Sequence, residues 1–124
     1  MNQRELIKKI NNFCNHFDYE YALNCGGCCY VAAVIAEMFD FKNIKYKVRY
    51  YEFPTHYVIE VNKIPLNLGE FKGKYNYLEG WDHWDLYEYY YNNDWNTIYP
   101  TKLNGVVKMS IRNIFKNYKG CKRG

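Results

Sequence analysis

The chain has 124 residues, 48% of them apolar and 20% aromatic, so one domain spanning 1–124 with a real core is expected and a disordered or fibrous chain is excluded. The net charge of +4 is unevenly spread: 101–124 holds seven Lys and Arg and no acid, while 70–100 holds six acids against two Lys. No apolar run reaches the roughly 18–20 residues of a membrane span, and the start MNQRELIKKI lacks the apolar stretch of a secretory signal, so a cytoplasmic protein with no membrane partner is expected.

Leu6, Ile7, Ile10, Phe13, Cys14 and Phe17 recur at helical spacing, which predicts an amphipathic helix over about 3–17. A polar connector follows, and a second helix is expected from Gly27 or Cys28 to about Phe39, striped by Val31, Ile35, Met38 and Phe39 and slimmed by Ala32, Ala33 and Ala36. Ile44, Tyr46, Val48 and Tyr50 alternate with Lys45, Lys47 and Arg49, the period of a half-buried strand. His56–Val61 and Ile64–Leu68 read as two further strands joined by a turn at Asn62-Lys63. Residues 69–100 read as long loops with a short helix near Asp85–Tyr91, and Val107, Ile111, Ile114, Phe115 and Tyr118 mark a last helix. The basic segment after residue 100 reads as a solvated helix face that would suit an acidic partner; a nucleic-acid partner is not expected.

Three of the five cysteines lie in Asn24-Cys25-Gly26-Gly27-Cys28-Cys29-Tyr30. An odd count with two adjacent thiols suits a reducing compartment better than a disulfide framework. A zinc knuckle on Cys25 and Cys28 lacks a second ligand pair, since structural zinc needs four. A redox Cys25-x-x-Cys28 at a helix start is chemically sound, but no strand leads into it as a thioredoxin-like fold requires. The third reading is a nucleophile. A helix N-terminus stabilises a thiolate, and its N–H groups can hold an oxyanion. His56 is the imidazole candidate. If Asn62-Lys63 is a two-residue turn, Val58 stands opposite Asn67, and His56, Val58 and Asn67 share one face of the sheet. The Asn67 amide oxygen is then placed to accept the imidazole N–H and fix its tautomer. His16 and His83 have weaker cases; His83, in GWDHW, reads as the rim of a cleft or as surface.

The order of these residues resembles the papain-like and transglutaminase-like cysteine enzymes. NCGGCCYVAAVIAEMF is similar to their nucleophile helix, and THYVIEVNKIPLNLG to their segment of His, strand, turn, strand and a third residue about eleven positions on, where Asn67 stands. The resemblance covers 24–69 and implies an α+β fold, with N-terminal helices, the nucleophile helix among them, packed on a small antiparallel sheet. It implies a Cys28–His56–Asn67 triad attacking an amide or thioester carbonyl of a protein or peptide, without a cofactor or metal. Asn67 stands where the transglutaminase-like pattern has Asp. Cys29 is the alternative nucleophile, because Tyr30 matches the aromatic that follows the family's Cys, and Asn24 is a weak oxyanion candidate. Two other functions remain open: a binding module of phage or microbial origin that blocks a host protein, and a C-x-x-C thiol–disulfide protein.

Overall fold

The computed structural model describes residues 2–16, 27–52, 55–67, 73–92 and 101–118. In chain order its elements are α1 (Gln3–His16), α2 (Gly27–Phe41), β1 (Lys47–Tyr51), β2 (His56–Val61), β3 (Ile64–Leu66), β4 (Tyr75–Tyr77), α3 (His83–Tyr91) and α4 (Thr101–Lys116). The fold is α+β: four helices and one four-stranded antiparallel sheet ordered β3-β2-β1-β4.

Helix α1 begins with a capping box. Asn2 Oδ1 accepts the Glu5 N–H at 2.8 Å and Glu5 Oε1 accepts the Asn2 N–H at 3.0 Å, so two end donors are satisfied at once. Leu6, Ile7 and Ile10 form its buried stripe, as the periodicity predicts. Helix α3 opens with the same device, built from Asp82 and Asp85.

Helix α2 is the centre of the molecule. Every residue from Cys28 to Ala36 is buried, so it has no solvent face over that stretch, and it packs against α3, α4 and β2. It ends in a Schellman turn: Asn43 takes φ 58°, and the Ile44 N–H reaches the Phe39 carbonyl at 2.9 Å. That turn explains why β1 starts at Lys47 rather than near Ile44. Ile44 is tied to the helix end, and Tyr46 donates its hydroxyl to Asp40 Oδ2 at 3.0 Å.

Both residues of the Asn62-Lys63 turn have positive φ, 50° and 66°, the signature of a type I′ hairpin. The turn sets the expected register, with Val61 opposite Ile64 and Ile59 opposite Leu66. Val48, Tyr57, Ile59, Val61 and Leu66 join the helix-side core. The opposite face carries a polar network. Arg49 Nε donates to Glu60 Oε1 at 2.6 Å, Tyr77 donates to the same oxygen at 2.9 Å, and the Arg49 guanidinium lies 4.2 Å from the Tyr75 ring centroid. Burial alone would raise the Glu60 carboxyl; the hydrogen bonds from Arg49 and Tyr77 outweigh it and hold the group below its ordinary value. Strand β4 supplies those tyrosines and lies in a stretch that the sequence pattern reads as loop.

Lys63 occupies the second turn position, where only glycine adopts positive φ without a steric cost. Lys63→Gly is expected to stabilise the protein by about 0.5–1 kcal/mol in urea denaturation, whereas Lys63→Val is expected to destabilise it.

Candidate functional site

Cys28 is the second residue of α2, and backbone amides of two elements pull its thiol pKa down. The Tyr57 amide of β2 contributes most to this pull, followed by the amides of Cys29 and of Cys28 itself. The strand ladder explains the Tyr57 contact. In the hairpin, the N–H groups of Val61, Ile59 and Tyr57 all point toward β3. Strand β3 ends at Leu66 and Asn67 turns the chain into the left-handed region at φ 69°, so the ladder stops one step before Tyr57.

The Tyr57 N–H belongs to the peptide that joins it to His56, but the Tyr57 side chain faces the helices with Ile59 and Val61, so strand alternation turns the His56 side chain to the other face of the sheet. His56 is 1% exposed. Its Nε2 lies 2.6 Å from the backbone carbonyl of Asn67. A carbonyl can only accept, so Nε2 carries the proton and Nδ1 carries the lone pair. The eleven-residue spacing therefore joins His56 and Asn67, but through the main chain rather than the side-chain amide expected from the sequence. The left-handed backbone at Asn67 aims its carbonyl back at the ring. The Asn67 side-chain nitrogen is buried and has no hydrogen-bond partner among the described residues. Asn67 is held by α1: Asn11 Oδ1 accepts its N–H at 3.1 Å, and Asn11 Nδ2 donates to the Pro65 carbonyl at 3.5 Å.

Cys29 faces the other way. Its thiol donates to the Leu86 carbonyl of α3 at 3.4 Å and is fully buried. The roughly 100° turn between neighbouring helical residues sends one thiol to the sheet and the other to the helix layer. Cys25 and Asn24 lie outside the described residues, as does the side chain of His16.

Burial dominates the electrostatics. It pushes the Cys28 thiol up to about 11, against the pull of the three amides. Burial likewise lowers the His56 pKa, and the hydrogen bond to Asn67 only partly offsets this. Thiol and imidazole are both neutral near pH 7. Among the described residues no cluster of His, Cys, Asp and Glu is arranged to hold a metal ion, and no helix is long and apolar enough to cross a membrane.

His83 belongs to a separate constellation at the start of α3. Its Nδ1 lies 2.6 Å from Asp40 Oδ2, and its ring lies against Trp84 with centroids 4.8 Å apart. Sequence reading missed Asn11, Glu37 and Asp40. The last two were marked by being the only acids on an otherwise apolar helix.

Comparisons with protein-family models, with curated proteins and with solved structures returned no match.

The lowered His56 pKa makes stability depend on pH. Below about pH 6.5 the unfolded imidazole binds a proton that the folded one refuses, so stability falls as pH drops from there toward the folded pKa. The slope for one proton is at most about 1.4 kcal/mol per pH unit. Urea denaturation between pH 5 and 7.5 is expected to show this component in the wild type and to lose it in His56→Gln.

Proposed function

We propose that the protein is a thiol-dependent hydrolase or acyltransferase acting on amide or thioester carbonyls, with Cys28 as nucleophile, His56 as proton carrier and Asn67 as the group that orients His56. The observation that supports this most is the 2.6 Å contact of His56 Nε2 with the carbonyl of Asn67, eleven residues on, with Cys28 in the first turn of the helix that packs on the strand carrying His56. The Nε2–H of that histidine is anchored on Asn67, so its basic nitrogen is Nδ1. The tie of Cys29 to Leu86 favours Cys28 over its neighbour.

Because both groups rest neutral, the proton moves during attack. Sγ bonds to the carbonyl carbon as its hydrogen passes to His56 Nδ1 by way of a water, because the imidazole lies on the other face of β2. The carbonyl electron pair moves onto oxygen, and N–H groups at the start of α2 stabilise the charge. The imidazolium then protonates the departing amine or thiol as the C–N or C–S bond of the substrate breaks. Water or an amine releases the acyl group by the reverse proton path. The Asn67 carbonyl favours the imidazolium throughout, because its acceptor bond to Nε2–H strengthens when the ring is charged.

The test is covalent capture. The protein is incubated with a panel of short peptidyl thioesters and read by site-resolved mass spectrometry. An acyl group is expected on Cys28, absent in Cys28→Ala and retained in Cys29→Ala. His56→Gln is expected to slow its formation by about 10²–10⁴-fold while far-UV circular dichroism stays native. No adduct on Cys28, or one formed as fast without His56, would sink the catalytic reading and favour the binding module.

A further inference from the structure

A second feature owes nothing to the thiol site. Helices α2, α3 and α4 border a cleft of about 620 Å³ whose walls include Glu37, Trp84, Tyr87, Glu88, Tyr91 and Lys108. Glu37 lies at its base with a side chain only 14% exposed. The Tyr87 hydroxyl donates to Glu37 Oε1 at 2.7 Å, and burial followed by that bond raises the tyrosine pKa strongly, so the hydroxyl stays a donor. The basic partners of Glu37 are much looser: Lys108 Nζ at 3.8 Å and Arg112 at 4.0 Å, the latter half exposed. Lys108 Nζ also stands over the Tyr87 ring, 5.1 Å from its centroid. An ammonium therefore already occupies the place where a ring face and a sheltered carboxylate meet. Above it, Trp84 and Tyr91 are 70% and 52% exposed.

We propose that this cleft binds an organic ammonium group, with Lys108 as the resident cation that the ligand displaces. Ring faces attract cations through their quadrupole, and a carboxylate of low exposure adds charge in a poorly screened setting. An anionic ligand would meet Glu37, Glu88 and the negative ring faces. A purely apolar one would have to desolvate Glu37 without compensation. Lys108 is held only by long contacts on a flexible stem, so its release costs little. The shared chemistry is an alkylated or primary ammonium, from a free small molecule or from a lysine side chain of a partner protein.

The test is titration of the full chain with tetramethylammonium chloride, with sodium chloride at matched ionic strength as control, following the Trp84 indole N–H by NMR. A saturable shift is expected with tetramethylammonium alone. Lys108→Met is expected to tighten binding and Trp84→Ala to weaken it, each by roughly 3–10-fold. Both positions are at the rim, so the fold is retained. A parallel titration with a short peptide carrying trimethyllysine separates the sources: tighter binding than tetramethylammonium assigns a protein partner, and equal binding assigns a small ammonium. No saturable shift in Lys108→Met, or an affinity indifferent to Trp84→Ala, would overturn the proposal.

Discussion

A helix without a solvent face constrains everything around it. From Cys28 to Ala36, α2 is buried on all sides, so its neighbours must supply all of its contacts. Tyr30 packs its ring against Tyr87 and Tyr90 of α3, and the rest of the helix meets β2 and α4. A buried N-terminus is the costly part, because the first N–H groups of a helix have no partner within it. At this end Cys28 places a thiol whose pKa the helix's own amides and the Tyr57 amide pull down against burial. The position of Cys28 thus bears on a buried helix end as well as on chemistry. The two roles do not conflict, since amides that lower a thiol pKa at rest are those that stabilise charge beside it during attack.

The second constraint is register. A type I′ turn at Asn62-Lys63 fixes which β2 residues face the helices, and a one-residue slip would exchange Tyr57, Ile59 and Val61 for His56, Val58 and Glu60. The same register brings Asn67 to the end of the ladder, where its left-handed backbone both stops β3 and presents a carbonyl to His56. Asn11 fastens that corner to α1 through two hydrogen bonds. The imidazole is therefore positioned by the hairpin and the first helix together, not by one side chain.

Much of this was readable in the residues. Periodicity located α1, α2 and α4, alternation located β1 apart from its start, and the two-residue turn set the register from which Asn67 was picked out. Helical angle separated Cys28 from Cys29. Other features were hidden for physical reasons. Alternation says which face a residue occupies but not which of its polar atoms is used, so the Asn67 main chain was not anticipated. Strand β4 is three residues long and is held by Arg49 and Glu60 rather than by an apolar face of its own. Ile44 and Tyr46 carry a strand pattern, yet the Schellman turn and Asp40 claim them for the helix end. The comparisons add nothing to the resemblance of 24–69, so the catalytic reading rests on chemistry at the site.

The thiol site and the cleft differ in how their polar groups are held. At Cys28 and His56, burial outweighs the favourable hydrogen bonds, and both groups rest uncharged. Three amide donors lower the cost of a thiolate but do not cancel the loss of water around it. Under the proposed mechanism this is a usable resting state. A neutral pair creates charge only when a carbonyl arrives to accept the sulfur, so the proton transfer is coupled to bond formation rather than completed beforehand. The same low polarity then amplifies the interaction of the oxyanion with the helix amides and of the imidazolium with the Asn67 carbonyl. Glu37 is built differently. Glu37 sits at the base of its cleft, bonded by the Tyr87 hydroxyl at 2.7 Å and approached only at 3.8–4.0 Å by Lys108 and Arg112.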